Sequence, residues 1–271
     1  MEFDYREIRA GGLTMRAALL DGGNDAAPPL LMLNGIGFNA ELMEPLALAL
    51  AKPGPDAPLG RSIVIPDMPG CGGSPDSNAH VMMYALSEAV IGMMEALHPG
   101  RHFDCIGFSW GGALAQQIAV QASRRVTRLG LVSTTSGLPL APANPDVIKR
   151  LFDPKEYVDP RRLTANFRAL LAEGGANATL MQRFRTPTPQ GLGNQLLALT
   201  GWTAAPMLPF IRVPVALVGV ADDAVVPYAH HTMLGCLLPH AQKIELRSGG
   251  HLSALARPER VSHALREFLA A

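Results

Sequence analysis

The chain has 271 residues, 48% hydrophobic and 17% charged, which is long enough to bury a large core and too apolar for an intrinsically disordered protein. Lysine plus arginine and aspartate plus glutamate stand at 23 each, so the net charge is zero and nothing in it recommends nucleic acid or an anionic membrane surface as a partner. No apolar run approaches the roughly 20 residues of a membrane span, the charged opening Met1-Glu2-Phe3-Asp4-Tyr5-Arg6 lacks a leader's apolar region, and Cys71, Cys105 and Cys236 build no disulfide framework or CxxC pair, so a soluble cytoplasmic protein is expected.

Residues 3–8 and 14–20 predict an opening pair of strands joined at Gly11-Gly12. Leu30-Leu31-Met32-Leu33 is a short continuous apolar run, as in a strand buried on both faces, and it ends in the turn signal Asn34-Gly35-Ile36-Gly37. Residues 40–51 predict a helix and 62–66 a second buried strand, closed by the Gly-rich turn 67–74. A helix over 81–97, a strand over 103–108, a helix over 111–122 and a strand over 129–133 continue the alternation. Strand, helix, strand, helix argues for an α/β fold with a mostly parallel central sheet flanked by helices.

From about residue 137 to 210 the alternation stops. Helix-like pieces at 146–152, 160–171, 177–185 and 193–200 are separated by Pro and Gly, with no buried strand between them. A strand at 215–218, a helix at 230–238, a strand at 243–246 and a helix at 258–269 then resume the rhythm. The expected organisation is an α/β core formed by residues 1–136 and 211–271, interrupted by a helical cap over 137–210.

The segment Phe103-Asp104-Cys105-Ile106-Gly107-Phe108-Ser109-Trp110-Gly111-Gly112 carries Gly-x-Ser-x-Gly between a predicted strand and an Ala-rich helix. This is the setting of a nucleophile elbow, a turn so tight that its serine hydroxyl projects from the tip. A serine hydroxyl needs a base, and in such folds the acid and then the histidine follow it in the chain. His251, after Gly249-Gly250 and before the last helix, fits that order. His80, His98 and His102 precede the serine, while His230-His231 lack the further ligands a metal would need. The acid should follow the strand at 215–218, where Asp222 and Asp223 are adjacent. Counting from Gly219 favours Asp222; counting back from Pro227 favours Asp223, which is preferred. Two backbone amides should hold the oxyanion: Trp110, directly after the nucleophile, and Ile36 in the loop after the early strand. The 67–74 turn lacks the Gly-Lys-Ser/Thr ending of a phosphate loop and reads as structural.

With these motifs in this order, the chain resembles the α/β-hydrolase superfamily. Within it the chain looks most like the intracellular depolymerases of medium-chain-length polyhydroxyalkanoates. That closer likeness rests on Leu33-Asn34-Gly35-Ile36-Gly37 with Asn39, Glu41 and Leu42, and on Ser109-Trp110-Gly111-Gly112-Ala113-Leu114-Ala115-Gln116-Gln117. It also rests on Tyr157-Val158 with Pro160, Gly201-Trp202-Thr203, and Pro239 with Ala241-Gln242. Asn34 stands where a histidine is common elsewhere in the superfamily. An ungapped overlay of residues 214–227 puts the family's catalytic aspartate on Asp223, although Val220 stands where the family has glycine.

The resemblance implies a serine hydrolase that cleaves carboxylic esters through an acyl-enzyme, with Ser109, Asp223 and His251 catalytic and neither cofactor nor metal required. The expected partner is an apolar ester, small or polymeric, and the resemblance extends the cytoplasmic location to storage-polymer granules. Asn34 and Trp202 are candidate substrate contacts. The apolar cap residues Leu151, Phe152, Leu163, Phe167, Leu170, Leu171, Leu196 and Leu197 are expected to pack the cap on the core or to line an acyl pocket. The alternatives are a small-molecule esterase or lactonase, a carbon–carbon bond hydrolase, a perhydrolase or haloperoxidase-like member, and a non-catalytic ligand-binding member.

Overall fold

The computed structural model describes residues 2–24, 26–51, 60–137 and 159–270, with Asp146, Asp153 and Lys155 besides. Eight strands, β1 (Asp4–Ala10), β2 (Leu13–Leu20), β3 (Leu30–Leu33), β4 (Ile63–Pro66), β5 (Phe103–Phe108), β6 (Val126–Val132), β7 (Val215–Val220) and β8 (Gln242–Leu246), form one sheet in the order β1-β2-β4-β3-β5-β6-β7-β8. β1 and β2 pair antiparallel, as do β2 and β4; every other neighbouring pair is parallel. The short apolar runs became the central strands because both of their faces are covered. Leu31, Leu33, Phe103, Cys105, Val215 and Leu217 point into one hydrophobic cluster, and Leu30, Met32, Ile106, Phe108, Ala216 and Val218 into the other. Each large apolar side chain buried in this way contributes about 1.5–3 kcal/mol.

The helices divide between the same two clusters. α2 (Met83–Leu97), α3 (Trp110–Gln121) and α7 (Ala229–Leu237) cover the first; α1 (Glu44–Ala51), α8 (Ser253–Ala256) and α9 (Glu259–Ala270) cover the second. The helix predicted over 40–51 is split into a 3₁₀ turn, Ala40–Leu42, and α1. β6 starts three residues before the predicted strand: Thr127 donates to Asp104 at 2.6 Å, and Arg128 lies 3.7 Å from the same fully buried carboxylate, so polar side chains mask its first turn in the sequence.

Between β6 and β7 the described residues hold α4 (Pro160–Glu173), α5 (Ala178–Arg183) and α6 (Pro189–Leu199), and no strand. Side-chain caps start all three: Asp159 accepts the Arg161 amide, Asn177 the Leu180 amide and Thr188 the Gly191 amide. The Thr188 cap explains why α6 begins four residues before the predicted helix at 193. The helix expected at 146–152 lies outside the described residues apart from Asp146, as do Leu151 and Phe152. Leu163, Phe167, Leu170 and Leu171 are buried in the second cluster, where Phe38, Phe167 and Phe184 pack ring on ring at 5.3–6.1 Å. Leu196 packs on the same cluster from its edge, while Leu197 is exposed. Among the described residues no helix is long and apolar enough to cross a membrane.

Candidate active site

The parallel strands β3, β5, β7 and β8 all end at one edge of the sheet, and the loops that leave them carry the singled-out residues. Beyond the carboxyl ends of the strands is where open α/β sheets bind ligands.

Ser109 occupies the turn between β5 and α3 with φ 53° and ψ −120°, a left-handed conformation for a residue bearing a side chain. Its flanking glycines hold that strain by close packing. A Cβ on Gly107 would lie 2.2 Å from the Gly111 carbonyl oxygen, and one on Gly111 would lie 2.3 Å from the Leu33 carbonyl oxygen. Gly107 therefore packs on Gly111, whereas Gly111 is pressed against the backbone that leaves β3. The Ser109 amide donates to Val132 at 2.9 Å, and its carbonyl accepts Thr134 Oγ1 at 2.6 Å.

His251 Nε2 lies 2.8 Å from Ser109 Oγ, and Nδ1 lies 2.8 Å from Asp223 Oδ2. An ionised carboxylate only accepts, so Nδ1 carries the proton and Nε2 is left to accept the serine O–H. The other oxygen of Asp223 accepts the Val225 and Val226 amides at 2.9 and 2.8 Å, which fixes the carboxylate in its plane. Its side chain is 1% exposed and that of His251 is 10% exposed. The Phe108 ring backs the imidazole at 5.1 Å.

The two adjacent aspartates therefore do different things. Asp223 meets the imidazole; Asp222 accepts the Gly250 and Gly249 amides at 2.8 and 3.1 Å, tying down the turn that presents His251. Burial raises the Asp222 carboxyl slightly, but those amide bonds, with Arg260 nearby, outweigh it and hold the group below the usual carboxylate range. Sequence order alone did not reveal this second role; the adjacent Gly249 and Gly250 both adopt positive φ in the turn that Asp222 anchors.

Trp110 opens α3, and the first amides of a helix have no partner within it. Ile36 sits in the loop after β3 between two committed amides: Gly35 N–H donates to Asn34 Oδ1 at 2.8 Å, and Gly37 N–H to Gln195 Oε1 at 2.7 Å. Among the described residues neither the Ile36 nor the Trp110 amide meets a protein acceptor.

The two candidate substrate contacts, Asn34 and Trp202, have their side-chain polar atoms engaged within the protein. Asn34 is buried and uses both ends of its amide to shape its own loop, accepting Gly35 N–H and donating to the Asn39 carbonyl at 2.8 Å. Trp202 donates its indole N–H to Gln117 at 2.9 Å and packs on the cluster around α3. Gln117 is eight residues beyond Ser109, about 12 Å along a helix axis, so Trp202 is anchored well below the serine.

The 67–74 turn is tied into the fold through Asp67 and Ser74. The fully buried Asp67 accepts Ala40 N–H at 2.7 Å, Gly73 N–H at 2.9 Å and Arg16 Nε at 2.6 Å. Burial pushes its carboxyl up despite these partners. Arg16 also reaches both Glu41 oxygens at 2.9 Å. Asn39, buried completely, donates to Glu41 and to the Arg183 carbonyl and accepts the Arg185 amide. Asn39 and Gln195 thus belong to the site's surroundings, and no spacing rule pointed to either.

The family model for the alpha/beta hydrolase fold matches residues 28–258. A poly(3-hydroxyalkanoate) depolymerase of Ectopseudomonas oleovorans is 30% identical over 270 residues, which span 98% of this chain and 92% of that protein. A pimeloyl-(acyl-carrier protein) methyl ester esterase of Aromatoleum aromaticum is 29% identical over 86% of this chain and 94% of that one. The solved structure of a hydrolase from Pseudomonas aeruginosa superimposes with a TM-score of 0.80 at 22% identity, covering 99% of each chain. An eight-stranded, mostly parallel sheet with a strained serine turn at its carboxyl edge and a family match over most of its length make one assignment: this chain belongs to the α/β-hydrolase fold family.

Proposed function

We propose that the chain is a serine esterase that cleaves carboxylic esters through an acyl-enzyme, acting on poly(3-hydroxyalkanoate) or its oligomers. The observation that carries this is the hydrogen-bonded row Ser109–His251–Asp223, with both links at 2.8 Å. His251 Nε2 takes the serine proton as Oγ attacks the carbonyl carbon, and the buried Asp223 stabilises the imidazolium that forms. Negative charge develops on the carbonyl oxygen, where the Ile36 and Trp110 amides receive it. Collapse of this intermediate breaks the ester bond, and His251 returns the proton to the departing alcohol. Water, deprotonated by the same imidazole, then releases the acid from Ser109.

The polyester substrate is supported by the 30% identity to the Ectopseudomonas oleovorans depolymerase over nearly the whole chain. In this reading residues 137–210 act as a cap over the serine, and the enzyme works in the cytoplasm at polymer granules. The likeness to the methyl ester esterase favours a second reading, hydrolysis of a small soluble ester by the same row. Comparing medium-chain 3-hydroxyalkanoate polymer with soluble esters of graded length separates the two. Turnover confined to soluble esters would exclude the polymer. Ser109→Ala is expected to lose turnover by orders of magnitude with the fold retained, and Asp223→Asn to lose about 10⁴-fold in kcat. Turnover retained by Ser109→Ala overturns the mechanism.

A further inference from the structure

Gln195 lies on α6, far from the serine row in sequence, yet it touches both elements assigned to the oxyanion hole. Its side-chain Oε1 accepts the Gly37 amide at 2.7 Å, across 158 residues of chain. Its backbone carbonyl accepts the Trp110 indole N–H at 2.8 Å. Its remaining polar atom, Nε2, lies 3.3 Å from Cys71 Sγ, so the residue is committed in three directions and is only 3% exposed.

We infer that Gln195 is a positioning residue for the oxyanion hole, so that transition-state stabilisation depends on a side chain from between β6 and β7. The inference rests on the serine-esterase reading above. Its physical basis is the peptide geometry around Ile36. Asn34 Oδ1 holds the amide before Ile36, and Gln195 Oε1 holds the amide after it. With both neighbouring peptide planes fixed, the Ile36 N–H has one direction left to point. Gly37 has φ +71°, a conformation glycine reaches freely alongside others, so its bond to Gln195 helps select it. On the other arm, Trp110 is buried, and its indole bond to Gln195 fixes the side chain of the residue whose amide opens α3. A donor set in advance is worth most when charge develops on the substrate oxygen, and much less to the neutral ground state.

The test is Gln195→Met, which keeps length and helix propensity but removes the acceptor. Kinetics use a medium-chain p-nitrophenyl ester. The transition-state probe is an alkyl boronic acid, which forms a tetrahedral adduct on a nucleophilic serine. Expected are a fall of about 10- to 100-fold in kcat, a change in KM of less than about twofold, and a loss of boronate affinity matching the loss in kcat. A purely structural role would leave the kcat and boronate affinity of the folded fraction, titrated with a fluorophosphonate, at parent values. That outcome, or a change confined to KM, overturns the inference. Ser109→Ala in the same assay separates the two levels. Turnover by that variant would sink the esterase reading, whereas an inert Ser109→Ala beside an unaffected Gln195→Met sinks only the role of Gln195. Should circular dichroism show Gln195→Met unfolded, Trp110→Phe breaks the other tie; it is expected to lose several-fold in kcat and boronate affinity together, and parent values overturn the proposal.

Discussion

The turn after β5 and the loop after β3 face each other at the sheet edge, and they are held by different forces. The serine turn is held by contact: Gly107 and Gly111 sit against backbone that no side chain could share, so its geometry is written within five residues and the strand beside it. The loop after β3 is shaped locally by Asn34 and, beyond that, held by reach. Asn39 and Gly37 are bonded to residues 144 or more positions away, on α5, α6 and the turn between them. A contact-held turn fails abruptly when volume is added. A bond-held loop loosens by degrees as acceptors are removed.

Gly111→Ala is the severest way to break this contrast. Its new Cβ would sit 2.3 Å from the Leu33 carbonyl oxygen, so backbone must give by about 1 Å, enough to cost about 10²-fold in kcat. Overpacking should also lower unfolding free energy by about 1–3 kcal/mol in urea titrations. Parent activity in this variant would mean that the serine turn is not contact-held. Asn39→Ala attacks the loop instead, leaving the Arg185 amide and the Arg183 carbonyl without their buried partner. Calorimetry should show about 1–3 kcal/mol of lost stability, accompanied by a fall in kcat smaller than that of Gly111→Ala. If its kcat falls further than that of Gly111→Ala, the two regions have been ranked the wrong way round. Asp222→Ala should be mildest: the 249–250 turn loses its anchor but Asp223 keeps the imidazole, and kcat should fall by about threefold to tenfold. A loss as large as that of Asp223→Asn would reverse the assignment of the two carboxylates.

The same contrast governs what could be seen in the sequence. Leu30–Leu33 was legible to the residue because a strand covered on both faces needs an unbroken apolar run, and Phe103–Phe108 was legible because its apolar residues surround a single Asp104 and lead into the serine turn. The serine turn was legible because close packing demands glycine at fixed spacing. β6 was read short because Thr127 and Arg128 satisfy buried Asp104, and polar residues with specific partners look like loop. Gln195 was invisible, and Asn39 stood out only through the family resemblance, for a related reason. A side-chain amide bonded across the molecule leaves no period and no local signature. Asn34 and Trp202 show a further limit: both stand out in the sequence, but the sequence does not reveal that their polar atoms are engaged within the protein, on its own loop and on α3.

The Phe38–Phe167–Phe184 stack has a consequence for anyone who would re-engineer this protein. Phe38 comes from the loop after β3, while the other two rings come from α4 and the end of α5. Helical segments inserted between two strands are natural units to exchange whole between relatives. In this chain a graft of residues 160–199 would remove two of the three rings and the acceptor for Gly37 in the same cut. The donor sequence would have to bring an aromatic pair and a side-chain carbonyl of the right reach, or the recipient would inherit new helices beside a loop that no longer holds its shape.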